Sequence, residues 1–193
     1  MIHIVWIGDE SKRPDDCIDT WRKFHDVRVW GNDDLKNRSW FNAKHMMEFT
    51  RRELCGVADM MRYEILYEEG GIAVDADSIC ERKLEDWMFE TPFAAWENEI
   101  ARPGLIANGT LGAEAKNPLI GQIINDIQKD EIYDRMAWQF CGPQRLTDTW
   151  KKYGYNNLTI LPSHFFYPEH FSGQIYTGKA PIYARQLWAS TRS

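Results

Sequence analysis

Two aspartates, Asp75 and Asp77, are the residues whose type and spacing most directly suggest chemistry. They follow the apolar run Ile72–Val74, which a double glycine precedes. Alternate residues of a strand face the same side, so both carboxylates could reach one cation at the strand's carboxyl end. Open α/β sheets bind ligands at that end. Because Mg²⁺ and Mn²⁺ prefer oxygen ligands and complete their shells with water and phosphate, the spacing predicts a metal site for a phosphate-bearing substrate.

A charged pair, Asp59 and Arg62, precedes these aspartates on a segment with a helical pattern, residues 55–69. At 3.6 residues per turn the pair lies about 60° apart and opposite the apolar stripe from Val57 to Ile65. Two interpretations remain open. The pair is a surface ion pair worth a few tenths of a kcal/mol, or Asp59 accepts a hydrogen bond from ribose or base while Arg62 contacts donor oxygens.

Strands alternate with helices along the chain. Strands are predicted at 2–7, 27–30, 72–74, 93–96, 105–108 and 158–161, and helices at 15–24, 33–49, 55–69 and 118–129. This alternation favours the α/β class, with a mostly parallel central sheet flanked by helices. No repeat, low-complexity tract or linker divides the chain. We therefore expect a single domain over residues 1–193.

Composition excludes several classes of protein. The net charge of −6 argues against a nucleic-acid groove, which needs concentrated Lys and Arg. No apolar run approaches the roughly 18 residues that a membrane-spanning helix requires. The four cysteines lie far apart and form no CxxC pair, so neither structural zinc nor a disulfide framework is expected. A cytoplasmic location follows as the prediction.

The block from Ala58 to Asp77 resembles a known sequence motif. The motif is the DXD-containing sugar-binding region of the glycosyltransferases that include fungal Golgi initiating mannosyltransferases, bacterial capsular sugar transferases and, more distantly, glucosylating clostridial toxins. Its pattern, A-D-x-x-R-Y-x-x-L-Y-x-x-G-G-h-x-h-D-x-D, is met almost position for position. The resemblance implies a Rossmann-like GT-A fold, a UDP- or GDP-sugar donor, dependence on Mn²⁺ or Mg²⁺, and transfer with retention of configuration to a glycan or another hydroxyl acceptor.

The resemblance also assigns roles to residues outside the aspartate pair. The opening strand is similar to the family's first strand, whose final residues, here Trp6, Ile7 and Gly8, line the nucleotide. Asn108 and Gly109 are similar to the segment that approaches the donor sugar. Within the motif, Asp77 would ligate the cation, Asp75 would contact the cation or the ribose, and no dedicated base would be required because the metal stabilises the departing diphosphate.

Similarity continues more loosely toward the C-terminus. Residues 141–143 resemble a late T-G-P signature, and residues 161–168 resemble an h-P-x-x-x-F-Y-P run. One departure is found in the segment 185–191, where relatives often carry H-x-W-x-x-S-W and this chain has Gln186 in place of the histidine. We expect the carboxamide oxygen of Gln186 to ligate the metal weakly. His164 is a second weak candidate for metal or phosphate, its alternative role being part of an aromatic lid.

Two other functions fit parts of the pattern. Haloacid-dehalogenase-like phosphatases also place D-x-D after an apolar strand, with the first aspartate as nucleophile. They usually carry it in their first strand, however, and need a later lysine and an acidic pair that we cannot place here. A degenerate transferase that binds carbohydrate or nucleotide sugar without turnover is the second alternative, suggested by Gln186 and by a chain that resembles a pared-down GT-A core.

Overall fold

A six-stranded sheet with helices on both faces forms the centre of the computed structural model, which describes residues 1–189. The strands are β1 (Ile2–Val5), β2 (Val27–Trp30), β3 (Gly71–Val74), β4 (Ser78–Cys80), β5 (Phe93–Asn98), β6 (Arg102–Ala113), β7 (Thr159–Leu161) and β8 (Ala184–Gln186). The α-helices are α1 (Asp15–Arg22), α2 (Asn32–Asn37), α3 (Ala43–Thr50), α4 (Leu54–Glu69), α5 (Pro118–Lys129), α6 (Ala137–Phe140) and α7 (Pro143–Tyr153).

The central sheet has the strand order β2-β1-β3-β6-β5-β7. Strand β1 pairs in parallel with β2 and β3, and β5 pairs in parallel with β7. Strand β6 is antiparallel to both of its neighbours, because it follows β5 through a short connection that permits only an antiparallel pair. Five of the six strands therefore run in one direction, which confirms the predicted α/β class with a mostly parallel sheet.

Two hydrophobic layers cover the faces of this sheet. On one face, residues of α3 to α7 pack around a core that includes Met60 and Ile123. On the other face, α1 and the segments before β5 and after β7 pack around Trp21 and Phe166. All four residues of β1 are buried, since both of its faces are covered. This explains why the opening strand reads as an apolar run without alternation.

Helix α4 is enclosed by the structure. It packs against α3, α5, α6 and the sheet, so residues on nearly every side of it are buried. It ends at Gly70 and Gly71, whose φ values of 67° and 103° turn the chain sharply into β3. Neither α4 nor another helix in the described part of the chain is long and apolar enough to cross a membrane.

The predicted helix at 33–49 is wrong in one respect, because the structure divides it into α2 and α3. The break is stabilised by a distant residue. The side chain of Glu64, on α4, accepts hydrogen bonds from the backbone N–H groups of Phe41 and Asn42 at 2.6 and 2.8 Å. These amides lie just before α3, where a helix would otherwise leave N–H groups unpaired. Local helical periodicity carries no information about such a partner.

Several elements were not predicted from the sequence. Strands β4 and β8 form a separate two-stranded antiparallel sheet. Each has three residues, too few to show alternation, and they lie more than a hundred positions apart in the chain. Helix α7 was missed because its sequence is mostly polar, and the short α6 was missed with it. Strand β6 is also longer than the predicted strand at 105–108.

Candidate active site

The candidate residues follow strands whose carboxyl ends lie at one edge of the central sheet. Trp6 follows β1, Gly31 follows β2 and Asp75 follows β3. Because β1 lies between β2 and β3 and all three are parallel, these positions are neighbours along the edge. Open α/β sheets bind ligands at this edge.

Asp75 and Asp77 lie in a turn between β3 and β4. The backbone N–H of Asp75 donates to the carbonyl oxygen of Gly109 at 2.8 Å, and the N–H of Ser78 donates to the carbonyl oxygen of Asp75 at 3.1 Å. The two carboxylates lie close together, as predicted. A single side-chain amide contacts both of them. A turn causes this convergence, whereas the sequence argument had attributed it to strand alternation.

The side-chain amide that joins the two carboxylates belongs to Gln186. Its Nε2 donates to Oδ2 of Asp75 at 3.2 Å and to Oδ1 of Asp77 at 2.6 Å. Pairing of Ser78 with Gln186 across β4 and β8 places it there, and the backbone N–H of Ala189 donates to Oδ2 of Asp77 at 2.8 Å. The C-terminal segment therefore reaches the aspartates, although Ser190 and Thr191 of the predicted motif lie outside the described residues.

The orientation of Gln186 differs from the prediction that its carboxamide oxygen faces the metal position. In the structure the amide nitrogen faces the carboxylates. Two neighbouring carboxylates repel each other, and an N–H donor between them reduces that repulsion. A nitrogen that carries two hydrogens cannot ligate a cation, so Gln186 would have to rotate its amide before its oxygen could do so.

Four residues form a second group beside the aspartate pair, and we call Asp59, Arg62, Asp75 and Asn108 the arginine cluster. Arg62 donates through Nη1 to Oδ1 of Asp59 at 3.1 Å and to the carbonyl oxygen of Asn108 at 2.5 Å. Its Nη2 pairs with Oδ1 of Asp75. The side-chain amide of Asn108 donates to Oδ1 of Asp59 at 2.8 Å. The cluster thus links α4, β6 and the turn after β3.

The burial of Arg62 contradicts the expectation that the Asp59 and Arg62 pair points away from the packing face of α4. The Arg62 side chain is only 4% exposed. Amino-acid spacing indicates one buried stripe, but α4 is covered on both sides, and the side opposite the apolar stripe packs toward β6 and the aspartate turn. The interpretation as a surface ion pair is therefore wrong.

Burial and charge set the protonation behaviour of the arginine cluster. Burial raises the pKa of Asp59 to about 7, against the opposing attraction of Arg62. For Arg62, burial disfavours the charge, but the carboxylates of Asp75 and Asp59 outweigh it and raise the pKa of the guanidinium. Arg62 is therefore a permanent positive charge beside the aspartates, suited to contact anionic oxygens.

Two polar atoms near Asp75 are buried without a hydrogen-bond partner in the described structure. They are Nε of Arg62 and the hydroxyl oxygen of Tyr167. Buried polar groups are normally paired, so unpaired groups that flank one carboxylate mark a place where a polar ligand would complete the structure. Tyr167 was not predicted as a site residue, and its position in the F-Y-P run, residues 166–168, was the signal available.

The end of the first strand is brought to the same edge. Trp6 is half-buried there, and its indole N–H donates to the carbonyl oxygen of Asp9 at 3.1 Å. The peptide groups of Gly8 are held by Asn32, which accepts from its N–H at 3.0 Å and donates to its carbonyl at 2.8 Å. Ile7, by contrast, packs its side chain into the core. The predicted nucleotide contact of Ile7 would therefore be made by its backbone.

The two C-terminal candidates have different positions. Residues 141–143 lie against the arginine cluster, since a side chain at Gly142 would come within 3.2 Å of Oδ2 of Asp59. His164 lies in a short 3₁₀ turn after β7 and stacks on Tyr176, with ring centroids 4.1 Å apart. Its Nε2 makes no hydrogen bond to Asp75 or Asp77 within the described residues, so these contacts give no support to its predicted metal or phosphate role.

The donor set suits a hard divalent cation. The contacts of one nitrogen with both Asp75 and Asp77 show that a single small group can lie between these carboxylates. Within residues 1–189, no three or more His, Cys, Asp and Glu side chains are grouped to hold a metal ion. A cation here would therefore take further ligands from substrate phosphates and water, as Mg²⁺ and Mn²⁺ commonly do. The residues fit that group.

Comparison with known proteins agrees with this geometry. Residues 9–94 match the family model described as "Glycosyltransferase sugar-binding region containing DXD motif". An uncharacterized glycosyltransferase of Acanthamoeba polyphaga mimivirus is 22% identical over 186 residues, covering 87% of this chain and 72% of that protein. Inositol phosphoceramide mannosyltransferase 3 of Schizosaccharomyces pombe is 26% identical over 129 residues, covering 64% of this chain and 33% of that protein.

Among solved structures, the PaToxG glycosyltransferase superposes with a TM-score of 0.60 at 14% identity, over 79% of this chain and 67% of that one. This likeness shows the GT-A fold. The chain spans about a third of the length of the fission-yeast mannosyltransferase that it matches. The matched family region contains Asp59, Arg62, Asp75 and Asp77, so the family model includes both the aspartate pair and most of the arginine cluster.

Proposed function

We propose that this chain, which belongs to the glycosyltransferase family whose sugar-binding region contains a DXD motif, transfers a sugar from a nucleotide diphosphate donor to a hydroxyl acceptor. UDP-sugars are the favoured donors. The observation that carries the proposal is the contact of the buried Arg62 with Asp59, Asn108 and Asp75. It places a permanent positive charge and two carboxylates beside Asp77, a combination that suits a sugar diphosphate and a cation.

The proposal gives each residue a role. Asp75 and Asp77 would hold Mn²⁺ or Mg²⁺, with Gln186 as a third contact after rotation of its amide. The bound cation would stabilise the charge on the departing diphosphate. Arg62 would orient donor oxygens through its guanidinium, and Asp59 would accept a hydrogen bond from a donor hydroxyl. The half-buried Trp6 at the end of β1 offers a ring for the base or ribose.

Several finer points belong to the proposal and are supported by the family resemblance alone. They are transfer with retention of configuration, a mechanism without a dedicated base, and the approach of the donor sugar to Asn108 and Gly109. The names of the mannosyltransferase relatives add GDP-mannose to the donors worth testing. The acceptor is proposed only as a glycan or another hydroxyl compound, and a cytoplasmic location remains a prediction from the cysteines.

The family match argues against the phosphatase alternative that the sequence had left open. The DXD turn follows β3, which is the third strand in the chain, whereas haloacid-dehalogenase-like enzymes usually carry their motif in the first. Turnover of a sugar donor would distinguish a transferase from the non-catalytic binding module.

The test is the release of nucleotide from sugar donors. We would incubate the purified chain with UDP-glucose, UDP-galactose, UDP-N-acetylglucosamine or GDP-mannose, each with Mn²⁺, Mg²⁺ or EDTA. We expect UDP or GDP release from one donor with Mn²⁺ and none with EDTA. Nucleotide binding without release under any condition would favour the module, and phosphate release from p-nitrophenyl phosphate would revive the phosphatase.

A further inference from the structure

The hydroxyl of Tyr167 is buried without a partner. Tyr167 is 2% exposed, and its hydroxyl oxygen makes no hydrogen bond in the described structure. Thr110 lies close to this hydroxyl but does not form a hydrogen bond with it in the described structure. Burying an unpaired hydroxyl costs roughly 1 to 3 kcal/mol. A phenylalanine would fill the same space without that cost, so packing alone does not explain the tyrosine.

The Tyr167 hydroxyl is directed at the aspartate turn. A methyl group built at Gly109 would lie 3.1 Å from this hydroxyl and 2.5 Å from Oδ2 of Asp75. Both oxygens therefore lie against the same face of Gly109, an approach that any side chain at residue 109 would block. Asp75 contributes there the oxygen that does not pair with Arg62.

A second unpaired group lies beside the same carboxylate and also has capacity left for a ligand. Nε of Arg62 is also buried without a partner, and Arg62 pairs with the other oxygen of Asp75. Other buried tyrosines are satisfied: the hydroxyl of Tyr63 contacts Asn108 and Gly142, and that of Tyr183 donates to Glu85 at 2.9 Å. Unpaired groups thus flank the one carboxylate that belongs to both the aspartate pair and the arginine cluster.

We propose that the Tyr167 hydroxyl binds an oxygen of the nucleotide-sugar donor beside Asp75. The inference rests on the proposed function and adds a binding residue to it. Burial raises the pKa of the Tyr167 phenol, so the hydroxyl is protonated at neutral pH and can donate to a phosphate oxygen or exchange hydrogen bonds with a sugar hydroxyl. Tyr167 would then pair only when the donor is bound.

The experiment compares Tyr167→Phe with a matched control, Tyr183→Phe. Each removes the hydroxyl of a buried tyrosine on the same face of the sheet. In the ligand-free protein, Tyr167→Phe should leave Tm unchanged or raise it, because it removes an unpaired group. Tyr183→Phe should lower Tm, because it breaks the bond to Glu85. Thermal unfolding without nucleotide measures this difference.

Calorimetric titration with Mn²⁺ present then measures binding of UDP and UDP-glucose, and of GDP and GDP-mannose. We expect Tyr167→Phe to weaken binding about threefold to tenfold, the value of one hydrogen bond, and Tyr183→Phe to leave it unchanged. Weaker binding of both members of a pair assigns the hydroxyl to the diphosphate. Weaker binding of the sugar donor alone assigns it to the sugar.

Two results would overturn the inference while leaving the proposed function intact. One is equal nucleotide affinity of Tyr167→Phe and the wild type. The other is a fall in ligand-free Tm as large as that of Tyr183→Phe, which would mean that the hydroxyl already has a partner within the fold. If the wild type binds none of the four nucleotides, the proposed function fails and the inference fails with it.

Discussion

Two ion pairs between an arginine and a carboxylate lie near the carboxyl edge of the sheet. The arginine is the buried partner in one pair, and the carboxylate is the buried partner in the other. In one, Arg62 is 4% exposed while its partner Asp75 is 31% exposed. In the other, Glu97 on β5 is 5% exposed while its partner Arg102 is 32% exposed. The first pair therefore presents its carboxylate to the ligand edge, with the positive charge behind it.

The two pairs also differ in how completely their hydrogen bonds are satisfied. Glu97 accepts from both Arg102 and His170 at 3.2 Å, and the other ring nitrogen of His170 contacts the Ser172 hydroxyl at 2.7 Å. Arg62 keeps an unpaired Nε. A cluster that is closed within the chain stabilises the fold, whereas one that stays open has capacity left for a ligand. This difference separates a structural ion pair from a site.

The largest effect is expected from Asp77→Asn in the open region. Loss of its charge should lower turnover by at least about 100-fold, as removal of one electrostatic contact to developing charge commonly does. Tm should change little, because asparagine still offers an oxygen to the N–H of Ala189. Nucleotide release assays measure the effect, with Asp86→Asn, an exposed acid on another loop, as the control. Wild-type release by a folded Asp77→Asn protein would exclude the metal role.

The comparison is tested directly by truncating each arginine. Arg62→Ala should lower the free energy of unfolding by about 3 kcal/mol, because Asp59 and Asp75 lose their buried counter-charge. Arg102→Ala should cost about 1 kcal/mol, since Arg102 is partly exposed and Glu97 keeps His170. Only Arg62→Ala should weaken binding of UDP with Mn²⁺. Urea unfolding measures the two stability changes, and calorimetry measures the binding of UDP. Similar binding losses in the two variants would show that the regions do not differ in function.

A smaller effect is expected from Gln186→Glu. A third carboxylate beside Asp75 and Asp77 adds repulsion, so the metal-free protein should lose about 1 to 2 kcal/mol, or roughly 2–8 °C in Tm. Mn²⁺ alone should then raise Tm more than in the wild type, because the ligand set is stronger. Gln144→Glu, which places a carboxylate next to Asp148 on the surface of α7, is the control. Equal Mn²⁺ responses in all three proteins would mean that residue 186 does not reach the cation.

The last effect concerns the pH dependence of stability. Burial raises the pKa of Asp59 to about 7 from 3.8, so the folded protein binds a proton that the unfolded chain has released. This contribution to stability is complete below about pH 4 and is lost as the pH rises through 7. The side chain at residue 59 cannot titrate in the Asp59→Asn variant. The Tm of the wild type relative to the variant should therefore fall between pH 5 and 7 and level off above, and a constant difference would show that Asp59 is already ionised at pH 5.

The local pattern of the sequence was sufficient for much of the fold and for the position of the site. Helical spacing, a double glycine and a short apolar run predicted α4, the turn and β3, because each depends on neighbours in the chain. The aspartates at the end of β3 then had to lie at the ligand edge of a parallel sheet. The resemblance of this block to the DXD-containing glycosyltransferases agrees with the family model that matches residues 9–94.

Other features depended on residues far apart in the chain and were decided by tertiary structure. Helix α4 is covered on both sides, which buries Arg62, and Glu64 ends the helical run before α3. The pairing of β4 with β8 directs the nitrogen of Gln186 at the aspartates, and the missing side chain of Gly109 lets Asp75 and the Tyr167 hydroxyl approach the backbone of β6. Amino-acid spacing predicts which residues share a helix or strand face. Only packing decides what covers that face, because burial and hydrogen-bond partners come from segments that local periodicity cannot relate.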